Sequence, residues 1–306
     1  MASTSETRLA YVAESAYGTT PSTPTWQELR YTSEGLVPNI DTVQSNEIRD
    51  DRNVADLIQV GSSAGGNIDF ELSYGTFDDF LESLMYSEWD SDVLVNGTTE
   101  KSFTIEKTFE LGTTDQYHRF TGSIANSLSL SLATRSIATG SFGFVSKGAS
   151  SAQAEVASST YNAANTNPVI NASSNFANLA ISGVTGPEAT AINLNMTNNI
   201  TPEDVLGSID ARGQTAGQFV VTGDMTLYFE NEELYELFLN ATAADLAFDI
   251  GGASDLKYEF SIPNLKFNNA QVVAGGNNQP LLIETSFTGL YDSAIEAALE
   301  ITRVPS

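Results

Sequence analysis

The chain has 306 residues, of which 13 are basic and 39 acidic, for a formal charge of −26 at neutral pH, and it contains no cysteine. A surface of that sign repels nucleic acid, which argues against a DNA- or RNA-binding role; the missing thiols exclude disulfide frameworks, thiolate zinc sites and cysteine nucleophiles. Hydrophobic residues make up 41% and charged residues 17%, a composition of packed chains in which Ser, Thr, Asn, Ala and Gly fill the remainder, as in turn-rich β proteins.

Residues 1–30 read as an N-terminal arm. Leu9, Val12 and Ala13 fit a short helix or extended turn, and Gly18, Pro21 and Pro24 punctuate the loop after it. The arm has neither the basic nor the apolar region of a secretory signal, and no stretch of the chain approaches the ~20 apolar residues of a membrane span. The chain is therefore expected to be made in a cytoplasm, and the sequons at Asn96, Asn171, Asn199 and Asn240 are chance matches.

Strands are predicted near 31–41 and 66–74. Between them the run Arg49, Asp50, Asp51, Arg52 precedes the apolar Leu57, Ile58 and Val60. This excursion is either a hairpin with a solvated tip or a self-complementary contact. Residues 66–85, "GNIDFELSYGTFDDFLESLM", then change period. Ile68, Phe70 and Leu72 alternate as in a strand with one buried face; Phe77, Phe80, Leu81, Leu84 and Met85 form a helical stripe. Thr76 and Asp79 stand at capping-box spacing, so Thr76 is expected to accept a bond from an unpaired helix N–H.

Strand alternation resumes over 101–111 and 118–145, where Ile124, Leu128, Leu130, Leu132, Phe142 and Phe144 keep a period of two. Residues 148–177, rich in Ala, Ser and Asn, read as a linker or surface loop. Structured sequence returns at about 178.

Residues 223–241, "GDMTLYFENEELYELFLNA", repeat the strand-to-helix pattern. A shift of 157 residues places Gly66 on Gly223, Ile68 on Met225, Phe70 on Leu227, Leu72 on Phe229, Phe77 on Leu234, Phe80 on Leu237, Leu81 on Phe238 and Leu84 on Ala241. Looser matches flank it: 36–40 near 191–196, Phe103 and Ile105 on Phe260 and Ile262, and 141–145 near 286–291. The pattern implies a tandem duplication. The expected fold class is α+β and β-dominated: two β-sandwich or half-barrel domains, each with one short helix packed on its sheet. The boundaries are arm 1–30, first copy 31–147, linker or loop 148–177, and second copy with C-terminal tail 178–306.

No catalytic setting is evident. His118 is a lone histidine in a strand pattern, and no phosphate-binding glycine loop or nucleophile elbow is present. Asp90 and Asp92 lack the remainder of a calcium loop and read as a solvated turn. No enzyme activity, cofactor or metal is expected.

Two stretches carry a family likeness. "RLAYVAESAYGTTPSTPTW" (Arg8–Trp26) resembles the opening of tail tube proteins of long non-contractile bacteriophage tails, and "GGNIDFELSYGTFDDFLESLM" resembles their central unit; "ALEITR" (Ala298–Arg303) resembles their closing strand. The resemblance implies a structural virion protein whose sheets join side by side to close a β-barrel around a pore, stacked as rings into a tube through which DNA is ejected. It implies itself, a tape-measure protein, a tail terminator and tail-tip proteins as partners, with assembly in the host cytoplasm. Two tandem copies suggest a homotrimeric, pseudo-hexameric ring, and the acidity suggests an acidic lumen that DNA does not bind. Contacts between subunits and rings are expected at Arg8, Tyr11, Glu14, Tyr17, Trp26, Arg49, Asp50, Asp51 and Arg52, and loss of residues 1–25 is expected to leave a folded subunit that forms no tubes. The alternative is another β-rich virion or surface-layer component, such as a capsid decoration or tail-tip protein; an acidic hydrolase or calcium-dependent carbohydrate binder is a third reading.

Overall fold

The structure, a computed structural model, describes residues 6–112 and 114–306; residues 1–5 of the expected arm lie outside the described residues. The first half contains β1 (Thr7–Ala13), β2 (Thr25–Glu28), β3 (Ser33–Glu34), β4 (Val37–Gln44), β5 (Leu57–Glu71), α1 (Asp78–Met85), β6 (Val93–Val95), β7 (Phe103–Phe109), β8 (Gln116–Ala133), β9 (Thr139–Ser146), β10 (Gly148–Ala152) and β11 (Thr160–Asn162). The second half contains β12 (Phe176–Ile181), β13 (Ala189–Thr197), β14 (Thr201–Glu203), β15 (Gly213–Thr215), β16 (Val220–Tyr228), α2 (Glu233–Leu239), β17 (Ala244–Gly251), β18 (Lys257–Ala274), β19 (Leu281–Gly289) and β20 (Glu300–Val304). The fold is β-dominated, as the alternating patterns predict, and no described helix is long and apolar enough to cross a membrane.

The two halves share one connectivity. In the first, β4, β5, β9 and β8 pair in that order; in the second, β13, β16, β19 and β18 do. Pairing of β8 with β13 joins them into one antiparallel run of eight strands. Outer strands complete each sandwich: β1, β7, β8 and β10 on one side, β12, β17, β18 and β20 on the other. The long strands β8 and β18 serve both layers. Each bends through bulges: Phe103 pairs with Ser123 but Ile105 with Phe120, and Ala244 pairs with Leu265 but Leu246 with Ile262. A second slip follows in each, between Ala125 and Ser127 and between Phe267 and Asn269. Such extra residues turn a strand from one sheet into the next.

This topology corrects the frame of the repeat. Phe103 and Ile105 occupy the places of Ala244 and Leu246 in β17, not of Phe260 and Ile262. The reason is an insertion: residues 86–102, including β6, separate α1 from β7, whereas residues 240–243 alone separate α2 from β17. The single identity of the repeat has a steric cause. A Cβ on Gly66 would lie 2.1 Å from the Gly35 carbonyl oxygen of the neighbouring β3–β4 segment, and one on Gly223 would lie 2.3 Å from the Phe287 ring and 2.7 Å from the Asn193 carbonyl oxygen.

One apolar core runs through both halves. Ile68, Phe70, Phe77, Phe80, Leu81 and Leu84 are buried together, with the rings of Phe70 and Phe77 4.0 Å apart; Leu72 follows at the end of β5. Met225, Leu227 and Leu234 are buried likewise, but Phe229, Leu237 and Phe238 only partly. The capping expectation fails. Thr76 Oγ1 pairs with Ser73 Oγ at 2.6 Å, Phe77 holds the cap position, and no side chain caps the helix. Asp79 is engaged elsewhere, accepting from Tyr11 Oη and Lys101 Nζ.

The expected arm is a strand of the outer layer. β1 pairs with β7 along its whole length and buries Leu9, Ala10 and Tyr11, so deleting residues 1–25 removes part of the core rather than a dispensable arm. Residues 148–167, most of the expected linker, also belong to the first half: β10 extends its outer layer, β11 runs parallel to β2, and Asn165 and Asn167 both donate to the Tyr74 carbonyl, while the second half begins within the remainder, at β12.

Candidate assembly interface

The eight-stranded run ends in two unpaired edges. β4 pairs with β5 alone, and residues 266–274 of β18 pair with β19 alone among the described residues. An unpaired strand presents a row of free N–H and C=O groups to another strand. Beyond the body, the β4–β5 hairpin is exposed on both faces: Ile40, Val43, Ile48, Val54, Leu57, Ile58 and Val60 are each more than half exposed. Monomeric surfaces rarely carry that much contiguous apolar area without a partner. In the second half the equivalent hairpin is shorter, formed by β14 and β15, and it folds back on the first half through the bond from Ser62 N to the Ile209 carbonyl.

One face of the eight-stranded run covers the core. The other is uncovered and mostly polar, with Val37 and Tyr228 its exposed apolar side chains. Ser127, Ser129, Ser131, Ser141, Asn193, Asn195, Thr222, Thr226, Ser286 and Thr288 alternate there with the buried residues of the same strands. Its acids are Asp41, Asp69, Glu71, Asp224 and Glu284, and its base is Lys266. Asp69 accepts from Ser141 Oγ and Ser33 Oγ, each at 2.5 Å, and these bonds hold its carboxyl below the usual range.

The residues expected as contacts divide into two groups. Arg49, Asp50, Asp51 and Arg52 are at the exposed hairpin tip, where Arg49 grips Asp51 through Nε and Nη2. Arg8, Tyr11, Glu14, Tyr17 and Trp26 are instead engaged within the subunit. The Arg8 guanidinium lies 3.7 Å over the Tyr161 ring, which also stacks on the fully buried Trp26. Glu14 accepts from the Gly18 and Gly122 N–H groups and from Ser102 and Thr104 hydroxyls. Tyr17 packs beside Lys147. Burial, and then the Asp79 carboxylate, push the Tyr11 hydroxyl far above its ordinary pKa, so it stays a donor.

A second polar cluster ties the halves together. Arg303 of β20 donates to Asp92 and Asp78 of the first half at 2.6 and 2.9 Å, and its guanidinium lies over Trp89. Tyr258 Oη donates to Asp78 at 2.5 Å and accepts from Gly75 N. Burial lowers the Arg303 pKa, but the bonds to Asp92 and Asp78 outweigh it and the net shift is upward. Asp92 is therefore an ion-pair partner rather than a solvated turn. β6 adds a strand to β20, so the first half supplies part of the outer layer of the second.

Sequence reasoning missed the edge at 266–274 and the exposed Leu290 and Tyr291 beside it. Alternation marks a strand but not whether a neighbour covers its side; only the pairing order does. Among the described residues no His, Cys, Asp and Glu side chains cluster so as to hold a metal, and His118 is an exposed residue packed edge-on against Phe109.

A family model described as phage tail tube protein matches residues 4–289 of the chain. No curated protein matches it.

Proposed function

The chain belongs to the phage tail tube protein family, and from that premise we propose that three copies close a ring in which β4 of one subunit pairs with residues 266–274 of the next. The observation that carries the proposal is the eight-stranded run itself, with the same strand order in each half and an open edge at either end. The β8–β13 pairing inside the chain serves as the pattern for the pairing between chains. Two copies per chain then give a pseudo-hexameric ring from a homotrimer. The polar face lines the bore. Its hydroxyl and amide groups hold water, and its acids outnumber Lys266, so DNA phosphates passing through are repelled rather than bound.

Rings stack through the β4–β5 hairpin, whose apolar flanks and Arg49–Arg52 tip reach beyond the body. The assembled tube forms the conduit for DNA ejection in a long non-contractile tail, built in the host cytoplasm and joined by tape-measure, terminator and tip proteins. Image reconstruction of tubes grown from purified protein tests this. Three chains around a constant bore is the expected result. A ring of six chains overturns the trimer, and closed particles, sheets or monomers at all concentrations overturn the tube.

A further inference from the structure

The chain builds the same strand edge twice, once covered and once open. In the second half β13 is covered: Leu194 pairs with Leu130 and Met196 with Leu128 of β8. In the first half Leu36 takes the place of Leu194, since the approach of Gly35 and Leu36 to Gly66 matches that of Asn193 and Leu194 to Gly223. Gly35 N donates inward to the Asn67 carbonyl of β5, so Leu36 turns its own N–H and C=O toward the open side. Both groups are already taken. Leu36 N donates to Glu34 Oε2 at 3.1 Å, and the Leu36 carbonyl accepts from Lys107 Nζ at 3.1 Å. Glu34 and Lys107 are themselves paired at 2.7 Å and are both largely buried. Two residues on, Pro38 has no N–H to offer.

The covered edge has no such device. Glu34 pairs with Ile68 as Ile192 pairs with Met225, and Lys107 stands two residues beyond Ile105 as Phe248 stands two beyond Leu246. Charged side chains thus occur at these two positions where the edge is open, and apolar ones where it is permanently paired. Charged groups and proline are a common means of keeping an exposed edge from pairing indiscriminately.

We propose that Glu34 and Lys107 are a guard on the open β3–β4 edge, which a second copy of this chain must displace from Leu36 before its β18 edge can pair there. The proposal rests on the ring reading above. The bulges shared by β8 and β18 set the register: Val272 stands in β18 as Leu130 does in β8, and so falls opposite Leu36, with Ala270 opposite Pro38. The guard keeps subunits apart at low concentration and yields when a correctly aligned edge supplies new partners for the Leu36 groups.

The test is the concentration at which tubes first form, read by light scattering and checked by electron microscopy. It compares the wild type with Lys107→Met and with the double substitution Glu34→Ile/Lys107→Phe, which installs the residues of the covered edge. Loss of the charge-assisted bonds should lower the threshold about tenfold. Hydrogen exchange at the Leu36 amide of the free subunit should be slow in the wild type and faster in the double variant. A threshold that is unchanged or raised in variants that remain folded by circular dichroism, or an equally protected Leu36 amide, overturns the guard while leaving the tube intact. A wild type that forms no tubes at any concentration overturns the ring reading and the guard with it.

Discussion

The two helices follow the same strand of the same motif, yet they are used differently. α1 buries Phe80, Leu81, Leu84 and Met85, and the Ser83 hydroxyl receives the Ala125 N–H of β8. α2 buries Leu234 alone and leaves Leu239 well exposed. The difference follows from the connection after each helix. Residues 86–102 wrap α1, and Lys101 returns to bind Asp79 and Glu82; the short turn after α2 provides no such cover. The first half is thus the anchored one, and the second half borrows β6 and the Asp78–Asp92 acids from it. The two halves share a strand order, but stability and exposure are redistributed by what is inserted between equivalent elements.

The difference between the halves should be largest at the helices. Phe80→Ala should cost about 3–5 kcal/mol, the usual range for a buried aromatic, and Phe238→Ala clearly less, because its ring is only partly buried. Equal losses in denaturant unfolding would remove the asymmetry. Next in size is the buried ion pair of the first half. Arg119→Met strands Glu106, which is fully buried and otherwise bonded to Tyr161, and should cost about 3 kcal/mol. The second half has Ala247 and Ser261 in those places, so Ser261→Ala should change little.

A smaller effect is expected where the halves meet. Arg303→Met removes two charge-assisted bonds and the contact with Trp89, for about 1–2 kcal/mol in a partly exposed site. Calorimetry should then show a broader transition, or two, as the halves uncouple; a single sharp transition would deny the junction its role.

Asp69 gives a smaller, pH-dependent difference. Its carboxyl is held below the ordinary value by Ser141 and Ser33. The resulting stability is complete above the unfolded-state pKa of about 4 and is lost as pH falls through the lower folded value. The gap between wild type and Asp69→Asn should therefore be flat from neutral pH to about pH 5 and close below about pH 4. Thr226, its counterpart in the second half, should give no such pH dependence when replaced by Ala. Smallest of all, Arg49→Ala should leave the unfolding midpoint where it is, because its bond to Asp51 is solvent-exposed. In the same variant, slower tube growth would tie the hairpin tip to stacking.

Much of this molecule can be read from residue order. The alternation of Ile68 and Phe70, the helical stripe from Phe77 to Leu84 and its echo from Met225 to Leu234 follow from side-chain period alone, because a strand or helix with one buried face must repeat at two or at 3.6 residues. The constant Gly66–Gly223 pair was visible too, although its cause, a passing backbone, was not. Pairwise closeness across the chain was hidden. Arg8, Tyr11 and Trp26 read as a reaching arm because Gly and Pro surround them, yet β7 and Tyr161, far along the chain, draw them into the subunit. The insertion around β6 displaced the second part of the repeat, so a fixed offset placed Phe103 on the wrong strand.

Composition and local period alone were enough for the strand-rich class, the repeated strand-to-helix pattern, the strong negative charge and the lack of thiol chemistry. The tertiary structure decided which strand edges stay open, which face of the eight-stranded run is free, and that Glu34 and Lys107 meet at Leu36. Those properties belong to pairs of residues from separate strands, and no local pattern encodes which strand will lie beside another until the whole chain has packed.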